Sequence, residues 1–498
     1  MALTPYQQLE QEFSHLHALS SAASVLRWDS AVMMPRESSD VRGEQLAALE
    51  TERHALLTSP RMSRLLDRAE ANQRGLAAWQ RANLREMRRE RDQAIATPRS
   101  LVSRLARATS RAELHWVDAK QKSDFSLFAP HLEEVVSLVR DKASLLGKAL
   151  NLEPYDALLD EFSPGLTSAQ IEAIFTTLGR RLPGLIQQAI ELQAPRPPLE
   201  ITGRFAPAKQ RQLALELMKT MGFPFDRGRL DESEHPFTGG APGDIRITTR
   251  FSLIDPFTGL LGVLHETGHA MYDVGLPQAW RGQPVGRDRG IAMHESQALL
   301  LEMMVCRSRP FLAYLAPLLQ QTFGVSGPQW APENLYRLLT RVQRSLVRVD
   351  ADEATYPVHI MLRYELERQI LDGELSIRDL PEAWNARLHD RLGVRPTNDA
   401  ERCLQDVHWA VGSFGYFPSY TIGAVIAAQL YESLRADRPE LDEELAAGDF
   451  QRLFSWLREH VHSLASSIGA PEIIERATGK ALGAGAWLRY VEAKYLSE

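Results

Sequence analysis

Two cysteines, Cys306 and Cys403, are all that 498 residues contain, too few for a disulfide framework. Neither stands in a C-x-x-C pattern, so both are expected as small buried side chains of a cytoplasmic protein. No stretch approaches about 18 uninterrupted apolar residues, which excludes a membrane-spanning helix from the expectation. Positive charge is not in excess either: the formal net charge is -7 and the pI near 6.1, giving no basis for a nucleic-acid or anionic-membrane partner. The opening MALTPYQQLEQEF lacks the basic-then-apolar order of a secretory leader. Phosphate-binding glycine loops, dinucleotide fingerprints, repeats and low-complexity tracts are all missing.

What is present is a long helical pattern, with 44% of residues hydrophobic and more than one core affordable at this length. Residues 5–55 read as two helices broken near Pro35, and 60–150 as helix almost throughout. The run Arg85 to Arg91, with Glu86 and Glu90 interleaved, reads as a solvated helix face. Residues 153–165 read as a turn-bounded segment before a helix starting near Thr167, and the Pro-dense 195–200 as a connector. Gly and Pro cluster over 221–256, followed by a β-branched alternation from Ile245 to Thr249, which predicts a small strand or hairpin. Such a strand could offer its backbone to an extended substrate. Further helices are expected over 331–371, 380–393, 400–412, 421–436, 441–463 and 471–495. The fold class is mainly α with a small β element.

Within this frame stands His265-Glu266-Thr267-Gly268-His269. On a helix, positions i and i+4 share a face, so both imidazoles can hold one Zn²⁺ at about 2.0–2.1 Å. Glu266 then stands beside the metal, where it can take a proton from a water activated there. Gly275 and Pro277 end the helix. A second ligand helix is predicted over IAMHESQALLLEMM, and its Glu295 is a better third ligand than Asp288, which lies in a Gly- and Arg-rich loop. A His₂Glu set leaves the fourth position open, as catalytic sites do.

Beyond that motif the chain resembles the M32 metallocarboxypeptidases, the thermostable Taq-type carboxypeptidases. The likeness is carried by VLRWDSAVMMP near the start, HPF at His235–Phe237, and D-x-R-x-T at Asp244, Arg246 and Thr248. It continues through HETGH, HES at His294–Ser296, VRVDAD at Val347–Asp352 and QDVHW at Gln405–Trp409. The resemblance implies an elongated, almost wholly helical gluzincin-type molecule with a deep central groove, one catalytic unit spanning 1–498. Its helical part, about 1–200, would cover the groove, and the metal site would lie in about 201–498. It implies a homodimer, zinc or cobalt on His265, His269 and Glu295, Glu266 as base, and release of single residues from peptide C-termini.

A carboxypeptidase must hold its substrate's terminal carboxylate, for which a bidentate guanidinium is best suited. Arg348 is the first candidate and Arg246 the second; an ion pair with Asp350 or Asp352 is the plain structural alternative for Arg348. His408 and Tyr420, twelve residues apart across a Gly/aromatic turn, are candidates for stabilising the oxyanion, and Tyr416 could replace Tyr420. Trp409 reads as packing. Gln405 and Asp406 would orient His408 or limit how far a substrate extends, and His235 is the weakest substrate-binding candidate. His294 would either support a ligand or point away.

Two positions depart from the family pattern. Arg402 stands where a Gly is usual and would strain the turn if that Gly had positive φ. Ala298-Leu299-Leu300-Leu301 replaces a more polar-aromatic stretch. Two rivals remain at this point: an M3-like oligopeptidase cutting internal bonds, and a helical dimeric scaffold with a structural metal.

Overall fold

The computed structural model describes residues 3–497. The first helix, Pro5–Val32, starts at a reciprocal cap: Thr4 Oγ1 accepts from Gln7 N at 3.2 Å and Gln7 Oε1 from Thr4 N at 3.0 Å. With the helices Ser39–Leu57, Pro60–Ala71 and Ala78–Ala96 it forms a small core around Leu9, Phe13, Leu66 and Met87. Every later helix joins one larger core running from Leu101 to Tyr495. The cores therefore divide near residue 100.

The two cores are locked together by polar contacts. Glu86, buried, accepts from Arg289 at 3.0 Å, and Arg89 binds Asp160 at 2.7 Å. Asn83 donates to Gln283 Oε1 at 3.0 Å. The Arg-rich stretch 85–91 is thus in part an interior ion-pair seam, a correction to the solvated face read from its mixed charges.

Three short strands form one sheet in the order β1 (Gly228–Glu232), β3 (Asp244–Thr249), β2 (Phe237–Ala241). β1 runs parallel to β3 and β2 antiparallel to it, with Thr238 opposite Ile247 and Gly239 opposite Arg246. Leu230, Ile245 and Ile247 bury the inner face. β2 is an edge strand and lies beside the first helix.

The HETGH helix, Thr258–Gly275, is followed by the HES helix, Ile291–Leu299, which widens into a π-helical turn at Leu300–Val305. Close crossings fix this region. A Cβ on Gly268 would stand 2.6 Å from Ala298 Cα, and one on Gly423 would stand 2.9 Å from Glu295 Cβ. Gly423 belongs to the helix Pro418–Asp437, so the HES helix is gripped on both sides by neighbours that approach through glycine. Ala298, Leu300 and Leu301 are buried there, so the departure from the family pattern is one of packing.

One expected helix is broken in two and another is not formed. Residues 331–371 hold helices only at Pro332–Leu339 and Tyr356–Asp372, with irregular chain and one short 3₁₀ turn at Arg348–Asp350 between them. Residues 400–412 are turns. Their apolar spacing resembles a helix, but Gln405 and Asp406 are drawn into contacts with Arg348 and Arg363, and Gly412 turns the chain at φ 77°. The turn-bounded segment 153–165 contains the helix Pro154–Phe162, with Pro154 in its first turn.

Candidate active site

Each ligand position follows from an element just described. His265 and His269 leave the HETGH helix one turn apart, their rings 4.9 Å between centroids. Glu295 faces them from the HES helix, with Oε2 3.7 Å from His269 Nε2. One ligand atom from each of His265, His269 and Glu295 can be chosen so that all lie within 4.8 Å of one another. The helical spacing and the choice of Glu295 over Asp288 agree with this geometry; Asp288 instead accepts from Gly290 N at 2.9 Å.

The charges around the three ligands suit a cation. Burial opposes protonation of His265, but Glu302, Glu295 and Glu266 outweigh it and raise its pKa to about 10. Such a field favours positive charge at this spot, which a divalent metal would provide. His269 moves the other way, lowered by burial and by the neighbouring imidazoles, and so is neutral and able to ligate. Two imidazoles and a carboxylate in this field fit a divalent metal.

His265 is oriented by Glu302, whose Oε2 lies 3.0 Å from Nδ1. Burial works against ionisation of Glu302, yet Arg307 and His265 hold it down at about 2, so Nδ1 carries the proton and donates. That leaves Nε2 for the metal. Sequence reading missed Glu302. The signal available was its spacing, seven residues after Glu295, but the π-helical turn between them breaks the regular helical period. His294 does not point away: its ring stacks on His269 at 4.4 Å, and its Nε2 lies 3.3 Å from Asp273.

Glu266 is buried, and its Oε2 accepts from Thr238 Oγ1 of β2 at 2.7 Å. Burial raises its pKa, against the pull of His265 and Thr238. Thr238 follows directly on the HPF block, so adjacency to that block was the available signal.

A second cluster gathers the remaining candidates. Arg348 Nε and Nη2 donate to Asp406 Oδ1 at 2.9 and 2.7 Å, and Nη1 to Tyr356 OH at 2.7 Å. Its partner is therefore neither Asp350 nor Asp352. Arg363, fully buried, donates to the other oxygen of Asp406 at 2.7 Å. Arg348 also lies over Tyr420, 5.2 Å from the ring centroid. His408 Nε2 is 3.3 Å from Tyr420 OH, and Tyr416 and Tyr420 are 5.4 Å apart by ring centroid. Burial, reinforced by Arg348 and Arg363 against Asp406, lowers His408 to about 4, so it is neutral at ordinary pH. The glutamate ligand raises the pKa of both tyrosines, although burial is the larger cause.

Other candidates are occupied differently. Gln405 Oε1 accepts from Arg348 N and Arg363 Nη2, and its amide donates to Leu346 O, which together hold the Arg348 turn in place. Arg246 grips its own Asp244 with two bonds, at 3.0 and 2.7 Å, and lies over Trp28 at 4.2 Å. His235 is exposed in the turn before β2, its carbonyl accepting from Ser233. Trp409 is packing and more: its Nε1 donates to buried Glu367 at 2.7 Å. Arg402 has φ -106°, so no left-handed strain arises, and it pairs with Asp399 at 3.2 Å.

Comparison with known proteins agrees with this arrangement. Residues 8–495 match the family described as Carboxypeptidase Taq (M32) metallopeptidase. The chain is 37% identical to thermostable carboxypeptidase 1 of Thermus thermophilus, covering 98% of each chain, and 36% identical to carboxypeptidase 1 of Bacillus subtilis, covering 96% and 95%. Among solved structures, metallocarboxypeptidase 1 of Trypanosoma cruzi superposes with a TM-score of 0.97 at 38% identity, covering 99% of both chains. The M32 carboxypeptidase of Deinococcus radiodurans gives 0.94 at 35%, covering 99% and 98%. With matches of this identity and coverage, the chain belongs to the M32, or Taq-type, carboxypeptidase family and is a metallocarboxypeptidase.

Proposed function

We propose that this enzyme is a zinc carboxypeptidase, able to use cobalt, that releases single residues from the free C-terminus of peptides with broad side-chain tolerance. The observation that carries the reading is the His265–His269–Glu295 set with Glu266 held beside it by Thr238. Two imidazoles and one carboxylate suit a borderline ion such as zinc. When bound, the metal supplies Lewis-acid polarisation of the scissile carbonyl and makes a water at the open position more acidic.

The chain's own groups do the rest. Glu266 takes the attacking water's proton on the oxygen Thr238 leaves free, and returns it to the departing amine. Arg348 receives the substrate carboxylate. Two guanidiniums share one carboxylate in the Arg348–Asp406–Arg363 cluster, so one positive charge is left for the substrate. Arg246 is less suited, because Asp244 pairs with it one to one and leaves no positive charge in excess. Tyr420 and neutral His408, with Tyr416 alongside, donate to the developing oxyanion. Gln405 acts through Arg348 by fixing its backbone, and His235, exposed in the turn before β2, would touch substrate from outside.

We further propose one catalytic unit working as a cytoplasmic homodimer. Both cysteines are unpaired and buried, which suits a reducing compartment, and no helix among the described residues is long and apolar enough to cross a membrane. The dimer rests on the family likeness.

The test is mass spectrometry of an N-blocked ten-residue peptide and its C-terminally amidated twin, each incubated with metal-loaded enzyme. A ladder of single C-terminal losses from the acid, with the amide spared, is expected. Internal fragments from both peptides would replace this reading with oligopeptidase action.

A further inference from the structure

A cavity of about 320 Å³ opens next to Thr238 and His294, bounded by β2 on one side and the first helix on the other. It starts at the catalytic centre: Thr238, in its wall, holds Glu266, and His294, also in its wall, stacks on His269. From there it runs along Gly239 and Gly240 to Gly243 in the turn after β2. The outer edge of β2 carries no partner strand, and its two glycines present no side chain to obstruct a peptide backbone. Opposite, His17, Ser20, Ser21 and Ser24 share one face of the first helix, so the facing wall is polar.

The far end of this cavity carries Arg281. Its guanidinium lies against the turn, with Nη1 2.9 Å from where a Cβ on Gly243 would be. The segment bearing it is rigidly tied to the first helix, since Gln283 Nε2 donates to Ser14 Oγ and Glu10 O, both at 2.9 Å. The other charges of the wall are engaged: Arg287 with Glu90 at 2.8 Å, Asp273 with His294 at 3.3 Å, and Asp288 with the Gly290 amide at 2.9 Å. Arg281 is exposed, and no carboxylate pairs with it among the described residues. His17 feels the resulting field, its pKa lowered by burial and then by Arg287 and Arg281.

We propose that this cavity receives the amino-terminal side of the peptide substrate and that Arg281 makes it select an acidic side chain there. This rests on the carboxypeptidase reading above. The scissile bond lies beside Thr238, and β2 ends three positions further on at Ala241, where the Pro242–Gly243 turn meets Arg281. At about 3.3 Å per strand residue, less the reach of an acidic side chain, Arg281 meets a residue about three to four positions upstream of the scissile bond.

The test is a set of N-blocked peptides with a constant C-terminal pair and one Glu moved through the upstream positions, each compared with its Ala counterpart by kcat/KM. In low salt the Glu/Ala ratio should peak at about two- to fivefold where Glu meets Arg281, the size of an exposed ion pair. It should fall towards one in high salt, which requires no variant. Arg281→Ala should abolish the peak, and Arg281→Glu should transfer it to Lys peptides. Because each ratio is internal to one enzyme, partial loss of folded protein does not alter it. A flat ratio in an enzyme that trims all the peptides, or a peak that survives in Arg281→Ala, overturns the subsite. Failure of metal-loaded enzyme to trim any peptide overturns instead the reading beneath it.

Discussion

In the proposed mechanism, Glu266 and Arg348 divide the chemistry at the level of single side chains. Glu266 has one side-chain donor on its carboxylate and is 6% exposed, so burial makes it a stronger base than an ordinary surface glutamate. Glu266→Gln keeps the shape and removes the proton acceptor. It should lower kcat by about 10²- to 10⁴-fold with metal content unchanged, measured by steady-state kinetics beside elemental analysis. Arg348→Ala should act differently, because its role is towards the substrate's terminal charge. An expected loss of about 100-fold or more in kcat/KM for free-acid peptides, which brings them down towards the residual rate on amidated ones, would locate the carboxylate at this guanidinium. An equal loss on both substrates would place the effect in the Asp406 cluster's own stability.

At the level of elements, helix crossings aim the ligands. Gly423→Ala puts a methyl group 2.9 Å from Glu295 Cβ and Cγ, so either the Pro418–Asp437 helix or the ligand must shift. Overpacking of this kind costs about 1–3 kcal/mol, and chelator competition should show metal affinity weakened by about tenfold or more. Glu367 performs a related task for the aromatic turn. From the helix Tyr356–Asp372 it accepts from Tyr155, Trp409 and Gly415 N, thus tying down both ends of the Trp409–Gly415 turn that lies between His408 and Tyr416. No cation neutralises it, and burial raises its pKa from 4.5 to about 7 despite those hydrogen bonds. A carboxyl raised in the folded state stabilises fully below the unfolded value and loses that contribution as pH rises through the folded one. About 3 kcal/mol should therefore be lost between pH 4.5 and 7. Thermal unfolding across that range should show the slope in the natural enzyme and a flatter one in Glu367→Gln.

For the whole molecule, the metal site lies where the HETGH helix, the HES helix and the edge strand meet, so ligand binding and folding are coupled. Removing metal by chelation should lower Tm. At free metal about 1,000-fold above Kd the stabilisation lost is about 4 kcal/mol. Glu295→Ala, lacking one ligand, should show little of that shift. The seam formed by Glu86–Arg289 and Asn83–Gln283 carries the small N-terminal core with the rest, and so keeps the first helix in place as the far wall of the substrate cavity.

The helical class, and the juxtaposition of His265, His269 and Glu295 proposed as metal ligands, were legible in the chain because they depend on local periodicity. H-E-x-x-H is a statement about one helix face, and Glu295 lies on the next periodic segment. The helix stop at Gly275 and Pro277 is equally local. What the tertiary structure decided depends on residues far apart in the chain. Asp406, not Asp350 or Asp352, pairs with Arg348 from 58 residues away, and the same contacts override the helical spacing of 400–412. Glu302 reaches His265 across 37 residues through a π-helical turn that no period announces. Arg281 has no motif around it, and only the packing of the first helix against β2 makes it part of a cavity. Side-chain periodicity reports which face of an element is buried; which distant charge it meets there is set by how the elements cross.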